Sequence, residues 1–296
     1  MSVSLIARPL TVTADHAPIK YPGALSARHA RWLLVGAALA VFGLLLVLPL
    51  VAIFAVALSK GLAVYAAALV EPEALSALRL SLTVVAIVVP INTVFGVALA
   101  WSTTKFNFPG RSLLLTLIDL PFAVSPVVAG LVFVLLFGAQ GWWGGWLLGH
   151  GFHIIFGLPG IVLASLFVTC PYVARQLVPL LEAQGSSEEE AAVLLGANGW
   201  QTFFWVTLPN IRWALLNGVT LCAARTLGEF GAVSVVSGHI RGRTDTLPLQ
   251  VEILYNEYHF VAAFAVASLL ALFALATLLL KHECERRASL ESVHGT

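Results

Sequence analysis

Arg225 and Glu229 stand four residues apart inside an apolar run, so on a helix they share one face. Ionisable residues are costly in such runs and point to function when they occur there. The chemistry open to this couple is electrostatic. It is either a neutralised pair that lowers the cost of burial, or part of a polar route for a charged solute. Its near-zero net charge suits a route that must release what it binds. Gly228 and Gly231 flank Glu229, and Ser234 and Ser237 follow with hydroxyl donors. Gly228–Ser237 is therefore expected to line a translocation path near a gate. Asp119, two residues before Pro121, reads as a span-end residue bonded to N–H groups that the kink frees. Arg175 reads as a side chain reaching for headgroups. Ser125, Ser165 and Thr169 could donate to a passing oxyanion, although such residues commonly serve helix packing in membrane bundles.

A catalytic or metal constellation is not visible. All eight histidines fall outside the apolar runs. His150 and His153 are three apart but have no Cys or carboxylate nearby, so they read as loop residues at a membrane interface. Cys170, Cys222 and Cys284 are too scattered for a disulfide framework or a metal site and read as packing residues. No G-x4-G-K-[ST] pattern occurs, so no cofactor is expected on this chain, and ATP and Mg would be bound by another protein.

The elements that position these residues are membrane helices. The 296 residues are 59% hydrophobic and 10% charged, with a mean hydropathy of +0.93. Soluble domains carry about 25% charged residues, and a spanning helix needs roughly 20 mostly apolar ones. Six runs qualify: residues 32–58, then 78–103, 113–137, 160–181, 213–236 and 260–281. The expected fold class is an all-α polytopic membrane protein with six transmembrane helices. A polar tail covers residues 1–31, a core covers 75–281 and a second tail covers 282–296. The first tail is too long and mixed for a signal peptide. Lys and Arg favour the cytoplasmic side of short loops. With both termini in the cytoplasm, ten of the 16 cations lie inside (Arg8, Lys20, Arg28, Arg31, Lys105, Arg111, Arg212, Lys281, Arg286, Arg287). Lys60, Arg79, Arg241 and Arg243 lie outside. The outer stretch SGHIRGRTD reads as a solvated loop that could instead receive an anion or a binding protein, and Trp142, Trp143 and Trp146 suit the headgroup zone.

One segment departs from the greasy pattern: EEEAAVLLGANGWQTFFWVTLP, Glu188–Pro209. Ser186 with Glu189, or Ser187 with Glu190, fits a capping box, and the acids suit the positive end of a helix dipole. Gly196 and Gly199 punctuate the helix. Trp200–Val206 reads as a second short helix that Pro209 ends. The spacing predicts a helix–turn–helix knob, coupling helices over 186–208, on the cytoplasmic side and shaped for docking.

Glu190-Ala191-Ala192, three residues, Gly196, nine residues, Val206, one residue and Leu208-Pro209 resemble the EAA signature E-A-A-x3-G-x9-I-x-L-P of ABC importer permeases. Only its Ile is changed, to Val206. The runs Phe106–Phe133 and Gly228–Leu270 are similar to the sulfate/thiosulfate permeases of the CysW type, and the likeness covers the chain apart from its two tails. Molybdate permeases share the GEFGA element, so molybdate or tungstate stays open as the substrate. The resemblance implies a type I ABC importer permease fold in the bacterial inner membrane, with Glu190, Ala191, Ala192, Gly196, Val206, Leu208 and Pro209 docking on an ATPase. It implies a second permease subunit of the CysT type, two copies of a CysA-type ATPase, a periplasmic sulfate-binding protein, and sulfate or thiosulfate as substrate. No enzyme activity is expected on this chain. The rival class is a secondary transporter or channel driven by an ion gradient. It would need carboxylates lining a proton or sodium route and an inverted repeat; the runs hold few such acids and no repeat is visible.

Overall fold

The computed structural model describes residues 27–294. They form two compact units, one up to Pro49 and one from Leu50 onward. In the first, α1 (Ala27–Phe42) runs into a π-helical turn, Gly43–Val47. The second begins within α2 (Leu48–Ala57) and continues with α3 (Leu62–Val70), α4 (Pro72–Lys105), α5 (Arg111–Ala123), α6 (Pro126–Phe137) and α7 (Gly144–Gly149). There follow α8 (Leu158–Thr169), α9 (Pro171–Gln184), α10 (Ser187–Leu194) and α11 (Gly199–Thr202). A π-helical turn, Phe203–Thr207, leads into α12 (Leu208–Leu227), α13 (Gly231–Ser237), α14 (Leu247–Asn256) and α15 (Phe260–His294). No strand occurs among the described residues. Among the described residues four helices are long and apolar enough to cross a membrane, or up to six when two bent pairs each count as one span.

Those bent pairs show how sharply two of the expected spans are broken. Residues 113–137, expected as one span kinked near Pro121, are two helices inclined by 105°. Val124 and Ser125 are both extended, at ψ 132° and 133°, ahead of Pro126. Proline's ring disfavours a helical residue before it and starts a new helix well. Residues 213–236 bend by 50° between α12 and α13, at Gly228–Phe230. The second span is longer than expected, 34 residues, and keeps Pro90 within it.

The core is built around α4, which contributes Ala74 and Ala77 to one cluster, Val84 and Val88 to a second, and Val89 and Ala100 to a third. Membrane helices gain little from hydrophobic association and pack through small residues and polar bonds instead. Both devices occur. A Cβ on Gly130 would come within 2.8 Å of the Ala232 carbonyl, so α6 and α13 touch backbone to backbone. Asn92, buried in α4, donates to Thr169 Oγ1 at 2.8 Å and lies 3.9 Å from Cys222 Sγ, tying α4 to α8 and α12. Asn92→Ala is expected to cost about 1 kcal/mol, the scale of such bonds in bilayers. A lower thermal midpoint in detergent, with partner assembly retained, is the check.

Candidate functional site

The segment after α9 forms a knob whose conformation follows from a few residues. α10 starts at Ser187 with Ser186 as its cap. Gly196 sits in the left-handed region at φ +95°, its N–H bonded to the Val193 carbonyl at 2.9 Å. The Ala197 N–H reaches back to the Ala192 carbonyl at 3.0 Å. This pair of bonds is the Schellman ending, which requires a residue tolerant of positive φ. A Cβ at Gly196 would meet nothing within 4 Å, so backbone conformation fixes the glycine, and crowding within this chain does not.

Two expectations for this knob fail. The capping box is not at Ser186 or Ser187. Ser186 makes no side-chain cap and instead donates its Oγ to Glu190 Oε1. The box lies at Asn198 and Gln201: Asn198 Oδ1 accepts the Gln201 N–H and Gln201 Oε1 accepts the Asn198 N–H, both at 2.9 Å. The N-x-x-Q spacing was the available signal. Nor does Leu208-Pro209 end the second helix. Leu208 N–H bonds the Phe203 carbonyl in π register, and the helix runs unbroken from Gly199 to Leu227. Proline is tolerated where its missing N–H and ring are accommodated by such a local shift.

The acids act as tethers. Glu189 pairs with Lys105 at the end of α4 and accepts from Thr207 Oγ1 at 2.8 Å, while Glu188 accepts from Asn210 Nδ2. Lys105 also donates to the Gly185 carbonyl, and its pair with Glu189 is 11% and 16% exposed. Arg111 and Glu182 close the same end of the bundle at 3.1 Å. Asn198 and Gln201 were not singled out from sequence, and Lys105 and Glu189 were read only as an inner-loop cation and a cap partner. Lys105→Met is expected to loosen residues 185–195, because Glu189 loses a charged bond worth about 2 kcal/mol. Limited proteolysis would report faster cleavage there, largely reversed by adding Glu189→Leu.

With those tethers turned inward, the knob presents apolar side chains outward. Leu194 and Leu195 are 88% and 90% exposed, and Val193, Trp200, Phe204 and Trp205 join them. Exposed apolar side chains gathered on one short segment make it a candidate interaction surface. Behind it Phe203 packs on Trp101 at 5.2 Å. Of the signature residues, Glu190, Ala191, Gly196 and Pro209 are exposed, while Ala192, Val206 and Leu208 are half-buried.

The second site residues lie at the α12–α13 break. Arg225 Nη2 and Glu229 Oε2 are 2.9 Å apart, and the Glu229 side chain is 1% exposed. Glu229 Oε1 also accepts the Ala232 N–H at 3.0 Å, stitching the start of α13. Gly231 packs on Pro126, but Gly228 is open and needs no glycine for space. Ser234 donates to the Gly231 carbonyl, and Ser237 is fully buried with its Oγ facing the His239 N–H.

Two further expectations change. Arg175 does not extend toward headgroups, and Asp119 is not bonded to freed N–H groups: the two pair with each other at 2.8 Å. The stretch Ser237–Asp245 is solvated over Gly238–Arg243 but anchored at its ends and through Arg241. Arg241 pairs with Glu73 and Glu257, and Thr244 and Asp245 are buried. Burial pushes the Asp245 carboxyl above the usual range, opposed by His239 and Arg241. Among the described residues no group of His, Cys, Asp or Glu is placed to hold a metal.

The model of the family described as "Binding-protein-dependent transport system inner membrane component" matches residues 92–287, and the chain belongs to that family. It is 54% identical to the sulfate transport system permease protein CysW of Escherichia coli K12, over 89% of this chain and 93% of that one. It is 50% identical to the chloroplastic sulfate permease 2 of Chlamydomonas reinhardtii, over 88% and 70%. It is 38% identical to the E. coli permease CysT, over 82% and 90%. The fold is that of ABC importers. A chain of a bacterial alginate ABC transporter in complex with its alginate-loaded periplasmic protein superposes with a TM-score of 0.72 at 17% identity, covering 88% of this chain and 96% of that one.

Proposed function

We propose that this chain is one of two permease subunits of a sulfate importer, and that thiosulfate is carried by the same route. The observation that carries the reading is the 54% identity to a sulfate permease over nearly the whole chain. In this reading the termini and the Glu188–Pro209 knob are cytoplasmic. A CysT-type permease completes the pore, two CysA-type ATPases grip the knobs, and a periplasmic sulfate-binding protein delivers the anion. The chain holds no nucleotide; ATP and Mg belong to the ATPases. ATP-driven closure of the ATPases moves the knobs and opens the path outward, and hydrolysis resets it. A ligand shifts such an equilibrium only through its different affinity for the two states, so the membrane path needs only modest affinity while the binding protein selects.

The test is reconstitution of the four-component complex in proteoliposomes. Radiolabelled sulfate uptake should require ATP and the loaded binding protein, should be competed by thiosulfate more strongly than by molybdate, and should survive collapse of ion gradients. Uptake without ATP would establish the gradient-driven alternative. Stronger competition by molybdate would move the substrate to that anion.

A further inference from the structure

Arg175 and Asp119 come from different helices, α9 and α5, and meet Nε to Oδ1 at 2.8 Å. Phe122 lies under the guanidinium, its ring centre 4.6 Å from Cζ. Tyr172 props that ring edge-on at 5.2 Å. The guanidinium is thus held from below and from one side. Asp119 uses only Nε, and no other acceptor takes the Nη hydrogens among the described residues, so four donors remain for a further ligand. A groove of about 140 Å³ opens beside the pair, walled by Leu115, Ile118, Ala174 and Val178.

The Arg175 and Asp119 side chains are 55% and 47% exposed in the single chain, on segments apolar enough to be spans. A charged couple half-open to hydrocarbon is costly, and such residues face a bundle interior or a water-filled cavity. Depth narrows the choice. Asp119 is eight residues beyond Arg111 and Arg175 seven before Glu182, so both lie about 10–12 Å from the end that carries the knob. Arg225 with Glu229 repeats the arrangement, an arginine part-neutralised by one carboxylate, at the break between α12 and α13.

We propose that Arg175 contacts the tetrahedral dianion at the knob-side mouth of the path. Asp119 is a positioning residue that holds the guanidinium and keeps its grip weak enough for release. This rests on the sulfate-import reading. A planar fork of N–H donors matches a tetrahedral oxyanion two bonds at a time.

The experiment uses the reconstituted complex carrying Arg175→Gln, Asp119→Asn, or the exchanged pair Arg175→Asp with Asp119→Arg. If the wild-type complex imports no sulfate, the parent reading fails, whatever the variants do. With wild-type import in place, Arg175→Gln should assemble normally and keep ATPase stimulation by the loaded binding protein. Its sulfate uptake should fall at least about tenfold, the loss of one charge-assisted contact. Asp119→Asn should assemble, with a lower maximal rate and a lower apparent KM, as the freed guanidinium holds the anion longer. The exchanged pair should not recover uptake, although it restores the attraction between the helices. The proposal is overturned by near-normal uptake in Arg175→Gln, by failure of that variant to assemble, by an unchanged KM in Asp119→Asn, or by recovery in the exchanged pair.

Discussion

Gly196→Leu is expected to uncouple ATP hydrolysis from transport while leaving the helical bundle folded. Gly196 holds φ +95° and ends α10 through two reversed hydrogen bonds. A side chain there costs about 1–2 kcal/mol of backbone strain, enough to unwind the last turn of this two-turn helix, whose first turn alone is tethered through Glu188 and Glu189. Unwinding would scatter Leu194 and Leu195, the most exposed apolar residues of the knob, and with them the proposed grip of the ATPase. Sulfate uptake should fall by more than about tenfold, since a lost coupling of only 1.4 kcal/mol already accounts for that factor. Basal hydrolysis by the partner should persist. Gly196→Asn, which tolerates positive φ, should recover most of the uptake. If the Leu variant retains both uptake and sulfate-stimulated ATPase activity, docking at this glycine is refuted.

Glu229→Ala should be the most damaging single change within the bundle. It removes the acceptor of the Ala232 N–H and the counter-charge of Arg225 together. Breaking a buried pair from one side costs about 3–5 kcal/mol, so the variant should be recovered in low yield from membranes. Glu229→Gln keeps the carbonyl for Ala232 and should fold better, yet leaves Arg225 with a full charge. The informative comparison is Arg225→Gln with Glu229→Gln. Stability in detergent should return toward wild type, while uptake stays depressed if the couple lines the path. Normal uptake in a normally assembled double variant would reduce the pair to a structural tie.

Much of this was legible from local order. The Schellman ending needs only a glycine four residues beyond Ala192, and the lengths of the apolar runs announce the spans. The break before Pro126 was less so, because a proline inside an apolar run also fits an unbroken helix, as Pro90 does in α4. The capping box was misplaced because Ser186 and Ser187 satisfy its spacing equally with Glu189 and Glu190, while other partners take those acids: Lys105 and Thr207 claim Glu189, and the Ser186 hydroxyl itself bonds Glu190. The Arg175–Asp119 pair spans 56 residues and is created by the packing of α5 beside α9, which no local pattern encodes. Asn92 could have been noticed as the one amide in its apolar run, but its bond to Thr169 is equally a product of packing.

The π turn at Phe203–Thr207 has a mechanical consequence. It carries the helix through Pro209, so Gly199–Leu227 is one continuous helix about 43 Å long at the usual rise per residue. In the proposed mechanism a movement of the knob at Trp200 would be carried along this helix to Arg225, and the bend at Gly228–Phe230 is the first interruption beyond it.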